Sequence, residues 1–142
     1  MLPPRKERAK RYLLILVAVI GFVASAVAQD RTIERRAKGR SDSDIRIGTY
    51  ISVKSDCTSG PLPTIRLVSP PEHGKVAVKK AKIRATNFRQ CLAVSIPGYV
   101  AFYRSQSGFS GTDLVTMEIK FPNGRSVVQK ITVTVVGPDD TL

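Results

Sequence analysis

Alternation of apolar and polar positions is clearest near the C-terminal end of this chain. Apolar residues occupy every second position in two runs, which are Val115, Met117, Ile119 and Phe121, and then Ile131, Val133 and Val135. A period of two is typical of a strand with one buried face. The Asn123-Gly124 dipeptide between the runs readily adopts the positive φ angles of a type I′ turn. The pattern therefore predicts a β-hairpin with a type I′ turn.

A weaker form of the same pattern begins at Ile45. Ile45, Ile47, Ile51 and Val53 fall on one face of the predicted strand, and Tyr50 falls on the opposite, polar face. The pattern therefore predicts that Tyr50 points away from the core.

The region between these two segments contains short apolar runs separated by Pro and Gly. Strands are predicted over residues 64–69, 75–79, 90–96 and 99–105, with turns at residues 70–74 and at Pro97-Gly98. Residues 80–98 are rich in Lys and Arg and alternate weakly, which indicates an edge strand or a loop. About seven short strands with no convincing helix after residue 28 predict an all-β fold, an antiparallel β-sandwich.

The first 28 residues have the layout of a secretory signal peptide. A basic segment (Arg5, Lys6, Arg8, Lys10 and Arg11) precedes the uncharged apolar run Leu13–Val23, and small residues follow at Ala26 and Ala28. This order predicts export and cleavage near Ala28. An uncleaved anchor is the alternative, although the 16 residues from Leu13 to Ala28 are fewer than the roughly 20 that a spanning helix needs. A membrane contact is expected only through this segment.

Residues 29–44 carry one large aliphatic side chain, Ile33, among charges and serines. So little apolar area cannot offset the loss of chain entropy, and the composition predicts a disordered lead-in. Its basic character fits either a spacer or a tether to an anionic surface. The predicted organisation is thus a signal peptide (1–28), a disordered lead-in (29–44), a β-sandwich domain (45–137) and a tail (138–142).

The net positive charge of the chain indicates which classes of partner it could bind. The chain carries +12, and removal of the signal peptide, with five basic residues and one acid, leaves +8 on 114 residues. Such a charge favours anionic surfaces such as phospholipid head groups and acidic glycans. Nucleic acid is not expected as the partner, because the chain is predicted to be exported. A solvated surface that maintains solubility is the alternative interpretation of the charge.

Cys57 and Cys91 are the only cysteines. In an oxidising compartment an even pair most simply forms one disulfide, and here the bond would close a loop of 35 residues. The sequence has no Cys-x-x-Cys spacing that would suggest redox chemistry. We therefore predict a structural disulfide between Cys57 and Cys91 in an exported, periplasmic or secreted protein.

Residues 65–136 carry a family resemblance. The residues that carry it are Pro71-Glu72-His73-Gly74-Lys75-Val76, Tyr103, Gly108-Phe109-Ser110-Gly111-Thr112-Asp113 and the closing strand Ile131–Val135. In this order and spacing they resemble the bacterial Ig-like (cadherin-like) domains that occur as tandem repeats in large bacterial surface proteins. The chain departs from that pattern in having a single copy and a cysteine pair, and in having Leu114-Val115 where an aromatic residue usually follows.

The resemblance implies an Ig-like sandwich used for adhesion, spacing or binding, and it implies no catalysis. Its motif residues (His73, Gly74, Gly108, Phe109, Gly111 and Asp113) would then be a fold signature. Phe109 would fill the core at a strand corner, and Asp113 would accept hydrogen bonds from backbone amides of the turn. Gly108 and Gly111 would supply backbone angles that other residues resist.

Few residues or motifs in the sequence indicate catalysis or metal binding. His73 is the only histidine, and metal sites usually need three or four His, Cys or carboxylate ligands. No Gly-x-Ser-x-Gly elbow, Asp-x-Asp-Gly calcium loop or Gly-rich phosphate loop is present. We therefore expect neither an enzyme nor a bound metal or cofactor.

A basic cluster remains as the candidate binding site, and it comprises Lys75, Lys79, Lys80, Lys82, Arg84 and Arg89. In a strand, Lys80, Lys82 and Arg84 would project from one face and could attract phosphate or carboxylate groups. A solvated edge strand is the competing interpretation.

The sequence therefore leads to two expectations of function. The first is an exported, non-enzymatic module of a bacterial envelope that binds an envelope protein or an anionic polymer. The second is a structural or stress-related periplasmic protein without a dedicated ligand. The sequence does not determine the oligomeric state.

Overall fold

Two β-sheets make up the part of the chain that the computed structural model describes, residues 31–140. The predicted signal peptide, the first two residues of the predicted lead-in and the last two residues of the predicted tail lie outside this range. The strands are β1 (Arg31–Arg40), β2 (Ile45–Tyr50), β3 (Thr64–Ser69), β4 (Gly74–Phe88), β5 (Cys91–Ser105), β6 (Gly111–Lys120) and β7 (Ser126–Val136). None of the described residues is helical.

The sheets are arranged as a sandwich, as the alternation predicts. One sheet has the strand order β1-β7-β6-β3 and the other has the order β2-β5-β4. Inward-facing residues of both sheets form the core. The largest fully buried side chains are Tyr103, Met117, Ile119, Ile131, Val115 and Val133. The all-β sandwich of about seven strands is therefore confirmed.

The N-terminal strand β1 corrects the predicted disordered lead-in. Arg31–Arg40 pairs along its whole length with β7, and this pair is parallel, whereas the other named strand pairs are antiparallel. Only Ile33, Ala37 and Gly39 are partly buried, and the basic side chains remain exposed. Backbone hydrogen bonds to β7 hold an edge strand that has almost no apolar face, so composition alone predicted disorder wrongly.

A β-bulge in β2 corrects the predicted orientation of Tyr50. Arg46 pairs with Phe102 and Gly48 pairs with Ala101, so Ile47 is an extra residue between them. A bulge exchanges the two faces of the strand beyond it. Tyr50 is therefore buried (4% exposed), and its hydroxyl donates to Gln129 Oε1 at 2.8 Å.

β4 and β5 form one long hairpin that continues past the end of β2. Strand β5 runs without interruption through Pro97-Gly98, where the sequence predicted a turn. Beyond Tyr50, whose partner is Tyr99, β5 is paired on one side only. A proline, which lacks an N–H, is tolerated in a strand with an unpaired side. We call this extension, residues 80–98, the ribbon; its first strand is the edge strand that was one of the two predicted alternatives.

The ribbon has a small core of its own. Cys91, Val94 and Ile96 are buried, and Ile51 and Val53 from the segment after β2 pack against them. Gly98 permits this packing because a Cβ there would lie 2.6 Å from Ile83 Cγ1 and 2.7 Å from Ile51 Cγ2.

The predicted C-terminal hairpin is present, but its turn differs from the predicted type. The Gly124 N–H donates to the Phe121 carbonyl at 2.9 Å, which makes Pro122 and Asn123 the central residues. Of the turn residues, Gly124 alone has a positive φ, 82°. Type I′ requires positive φ at both central residues, and the proline ring fixes φ near −65°. Pro122 therefore excludes the type I′ turn.

Candidate functional site

The disulfide attaches the segment after β2 to the ribbon. Cys57 and Cys91 are bonded, with sulfur atoms 2.09 Å apart and Cα atoms 5.7 Å apart. Cys91 begins β5 directly after the hairpin turn and is buried, whereas Cys57 lies in the irregular segment that follows β2. The predicted pairing is confirmed. Since the chain has no other cysteine, this bond accounts for all of its thiols.

Asp113, from the predicted fold signature, is a buried acceptor at the start of β6. Its Oδ1 accepts hydrogen bonds from the backbone N–H groups of Glu72 (3.0 Å) and Leu114 (2.9 Å). Its Oδ2 accepts from the backbone N–H of His73 (2.8 Å) and from the Tyr103 hydroxyl (2.9 Å). One carboxylate thus connects β6, β5 and the turn that precedes β4.

The ionisation of this pair follows from its contacts. Burial acts to raise the pKa of Asp113, but the N–H groups of His73 and Glu72, the Tyr103 hydroxyl and the N–H of Leu114 outweigh it and hold the pKa below its ordinary value. Burial raises the pKa of Tyr103, and the hydrogen bond to Asp113 raises that pKa further. Asp113 is therefore charged and Tyr103 neutral at pH 7, as a structural hydrogen bond requires.

His73 and Phe109 close the same corner of the sandwich. Their rings stack with centroids 4.4 Å apart and an interplanar angle of 13°. Phe109 also packs against the main core. Gly108 and Gly111 on either side of it have φ angles of 73° and 135°, which favour glycine.

The last signature residue, Gly74, begins β4 beside this corner. A Cβ at this position would lie 2.6 Å from the Arg104 carbonyl oxygen and 2.6 Å from the Tyr103 ring. The fold-signature residues are thus neighbours in space, and each has a contact or backbone geometry that supports the corner.

This corner contains the only histidine but lacks the arrangement of a catalytic triad. Asp113 accepts from the backbone N–H of His73, whereas the His73 Nε2 lies 3.9 Å from Glu72. Within residues 31–140, no three His, Cys, Asp or Glu side chains are grouped so that they could hold a metal ion. In the same range, no helix is long and apolar enough to cross a membrane.

The six residues of the predicted basic cluster are divided among three places. Lys80, Lys82 and Arg84 share one face of β4 and pair with Tyr99, Pro97 and Ser95 of β5. We call these three residues the basic stripe.

The other three residues of the cluster lie elsewhere. Lys75 and Lys79 are on the opposite face of β4, because side chains alternate along a strand. Lys79 is there partly neutralised by Asp44 at 3.5 Å, and its Nζ lies 5.3 Å from the Phe102 ring centroid. Arg89 lies in the two-residue turn at the tip of the ribbon.

The basic stripe combines regular spacing with the absence of nearby acids. Alternate residues of a strand are about 6.7 Å apart, so the three cations span roughly 13 Å. All three residues are exposed, and within the described range none lies within 4.0 Å of a carboxylate. The strand alternation predicted this shared face, whereas the pairing of Lys79 with Asp44 and the position of Arg89 at the tip depend on the folded structure.

Comparisons with protein-family models, with curated proteins and with solved structures found no significant match to this chain. A proposal about its function therefore rests on the geometry and charge of its own surface.

Proposed function

We propose that this protein is an exported, non-enzymatic module of a bacterial envelope with an Ig-like sandwich, and that it binds an anionic polymer of the envelope. The observation that carries the proposal is the basic stripe, where Lys80, Lys82 and Arg84 project from one face of an exposed ribbon and no carboxylate of residues 31–140 lies within 4.0 Å of them. Regularly spaced cations suit a partner whose negative charges also repeat.

Local charge supports this assignment. From Cys57 to Thr112 the chain has one acidic residue, Glu72, which lies before β4 near the far end of the hairpin from its tip. The ribbon itself, residues 80–98, has four cationic side chains and no acidic one, so its own net charge is positive. Opposite charge distributed in this way steers an anionic partner toward the ribbon, and salt screens the attraction.

The disulfide and the resemblance support the proposed location. Disulfides persist in oxidising compartments such as the periplasm or the cell exterior. The corner formed by His73, Phe109 and Asp113 uses the residues on which the resemblance to bacterial Ig-like domains rests.

A second candidate function is a structural periplasmic protein with no dedicated ligand. It is favoured by the position of β4 at the edge of its sheet. Exposed lysines on an edge strand prevent unwanted pairing with other strands. On this hypothesis the stripe protects the edge and binds nothing.

Envelope fractionation with stepwise salt tests the proposal. The tagged protein should stay with the envelope at low salt and be released as salt approaches about 1 M, where the screening length falls to roughly 3 Å. Lys80→Ser, Lys82→Ser and Arg84→Ser together should release it at lower salt. The matched control is Arg36→Ser, Lys38→Ser and Arg40→Ser, which removes three exposed charges at the same spacing on β1.

Equal effects of the two triple variants would show that net charge, and not the stripe, holds the protein. A protein that is freely soluble at low salt would favour the structural alternative. Crosslinking at low salt, followed by mass spectrometry, would identify the partner and separate an envelope protein from a polymer.

A further inference from the structure

A separate cleft lies where three distant segments of the chain meet. The residues after β2, the tip of the ribbon and the β6–β7 turn enclose a volume of about 360 Å³. This size lies within the range of small-molecule sites. Each segment contributes one cation to the lining, and these are Lys54, Arg89 and Arg125. No acidic side chain of the described residues lines the cleft, although the carboxylate of Asp56, outside the lining, is close enough to interact with the charge of Lys54.

Two of these cations lie beside aromatic rings. The guanidinium carbon of Arg89 lies 5.4 Å from the Phe88 ring centroid, and that of Arg125 lies 4.7 Å from the Phe121 ring centroid. A guanidinium above a ring uses its face, which leaves the N–H groups at its edge available.

The edges of these guanidiniums have no protein partner in the described part of the chain. Neither Arg89 nor Arg125 forms a side-chain hydrogen bond or an ion pair there, in contrast to Arg66 and Arg104, which each contact a carboxylate. Guanidinium edges with unused donors can form the paired hydrogen bonds that an oxyanion accepts.

The rest of the lining is suited to the body of an organic ligand. Ile51, Val53, Phe88 and Phe121 contribute apolar surface, and Asn123 contributes an amide. The disulfide supports this arrangement, because it connects the segment after β2 to the base of the ribbon tip. The cleft thus combines an apolar wall with three cations.

We propose that this cleft binds a small organic phosphate monoester. The phosphate would be held between the guanidinium edges and Lys54, and the organic group would contact the aromatic and aliphatic wall. A phosphate monoester is favoured over a carboxylate because it places close to two negative charges and three acceptor oxygens on one group facing three cations. The site is distinct from the basic stripe and does not depend on the proposed polymer.

Phenyl phosphate is the probe, since it joins a phosphate monoester to an apolar ring. We would titrate it into the oxidised full chain in a non-ionic detergent and follow backbone amide shifts by NMR. The largest shifts should occur at Lys54, Arg89 and Arg125. Benzoate, with the same ring and one charge, should bind about tenfold more weakly.

Two charge-matched double variants test the assignment. Arg89→Gln with Arg125→Gln should weaken phenyl phosphate binding about tenfold or more. Arg36→Gln with Lys38→Gln, on the distant edge strand β1, should change it less than about twofold. Both variants remove two positive charges, and both pairs are exposed.

Equal weakening by the two variants, benzoate binding as tight as phenyl phosphate, or shifts confined to other surfaces would each overturn the assignment. The variant with Arg89→Gln and Arg125→Gln leaves the basic stripe in place. Its retention on the envelope therefore reports the stripe separately, so failure of the cleft is distinguishable from failure of the polymer proposal.

Discussion

Replacement of Asp113 is the sharpest test of how this sandwich is held together. The carboxylate is 5% exposed and accepts four hydrogen bonds, three from backbone amides and one from Tyr103. Asp113→Ala removes all four acceptor contacts. Glu72 and Leu114 are exposed residues, and their hydrogen bonds to the carboxylate are only partly buried, so water can replace the carboxylate at their amides.

The expected loss of stability in Asp113→Ala comes mainly from the two hydrogen-bond donors that water reaches least. Tyr103 is fully buried and His73 is half-buried beneath Phe109. A buried donor left without a partner costs roughly 1–3 kcal/mol. With the loss of the charged acceptor, we expect Asp113→Ala to lower the free energy of unfolding by about 3–5 kcal/mol. Asp113→Asn keeps one acceptor oxygen and should cost about 2 kcal/mol.

Urea unfolding of the oxidised chain, followed by circular dichroism at pH 7, measures both effects. Asp139→Asn is the matched control, because Asp139 is exposed and should change stability by less than about 0.5 kcal/mol. Tyr103→Phe removes one donor and should cost about 1 kcal/mol. A loss below about 1 kcal/mol for Asp113→Ala, with an unchanged urea slope, would refute the role of this carboxylate as the connection between strands.

Acid should remove the stabilisation that the charged Asp113 carboxylate provides. The pKa of Asp113 is lower in the folded state than its ordinary value of 3.8. Its stabilising contribution is therefore fully present above that value and is lost as the pH falls through the folded pKa. The difference in stability between the wild type and Asp113→Asn should be constant from pH 7 to pH 5 and should shrink below about pH 4. A difference that does not depend on pH would mean that shape, and not charge, is what the asparagine disturbs.

Three further predictions concern the ribbon and the edge strand. Replacing Cys57 and Cys91 with Ser should lower the free energy of unfolding by about 3–4 kcal/mol through the opened loop, and urea midpoints unaffected by the replacement would contradict this. Gly98→Val should cost about 1–3 kcal/mol because its side chain would collide with Ile51; a thermal midpoint equal to that of the wild type would show that the ribbon core is loose. Amide hydrogens of Arg31–Arg40 that donate to β7 should exchange more slowly than those of an unfolded segment, whereas uniformly fast exchange would restore the disordered lead-in.

Local alternation of side chains was sufficient to predict much of this fold. Apolar residues alternate from Val115 to Ile119 in β6 and from Ile131 to Val135 in β7, and Val115, Ile131 and Val133 are fully buried as a period of two requires. The same rule placed Lys80 and Lys82 on one face. These features depend only on neighbours along the chain, because the pleat of a strand fixes which residues share a face. The cysteine pairing was also predictable, since two cysteines in an oxidising compartment allow one intramolecular bond.

Features that depend on distant segments were not predictable in this way. β1 is held by the backbone of β7, nearly a hundred residues later in the chain, and its own side chains carry almost no apolar signal. Tyr50 is buried because a single bulged residue exchanges the faces of β2. Strand β5 continues through Pro97 because β2 ends short of that position. The presence of a proline in the sequence does not reveal where the neighbouring strand ends.

The two candidate sites also differ in how much of each could be predicted from neighbours along the chain. Alternation along β4 was enough to predict the common face of the basic stripe, whereas the pairing of Lys79 with Asp44 required the packed structure. The cleft could not be predicted from the sequence, because Lys54, Arg89 and Arg125 come from segments that only folding and the disulfide bring together. Alternation along the chain was thus enough to predict which residues share a strand face. Which faces are covered and which cations line one cleft required the folded structure, because both depend on contacts between residues far apart in the chain.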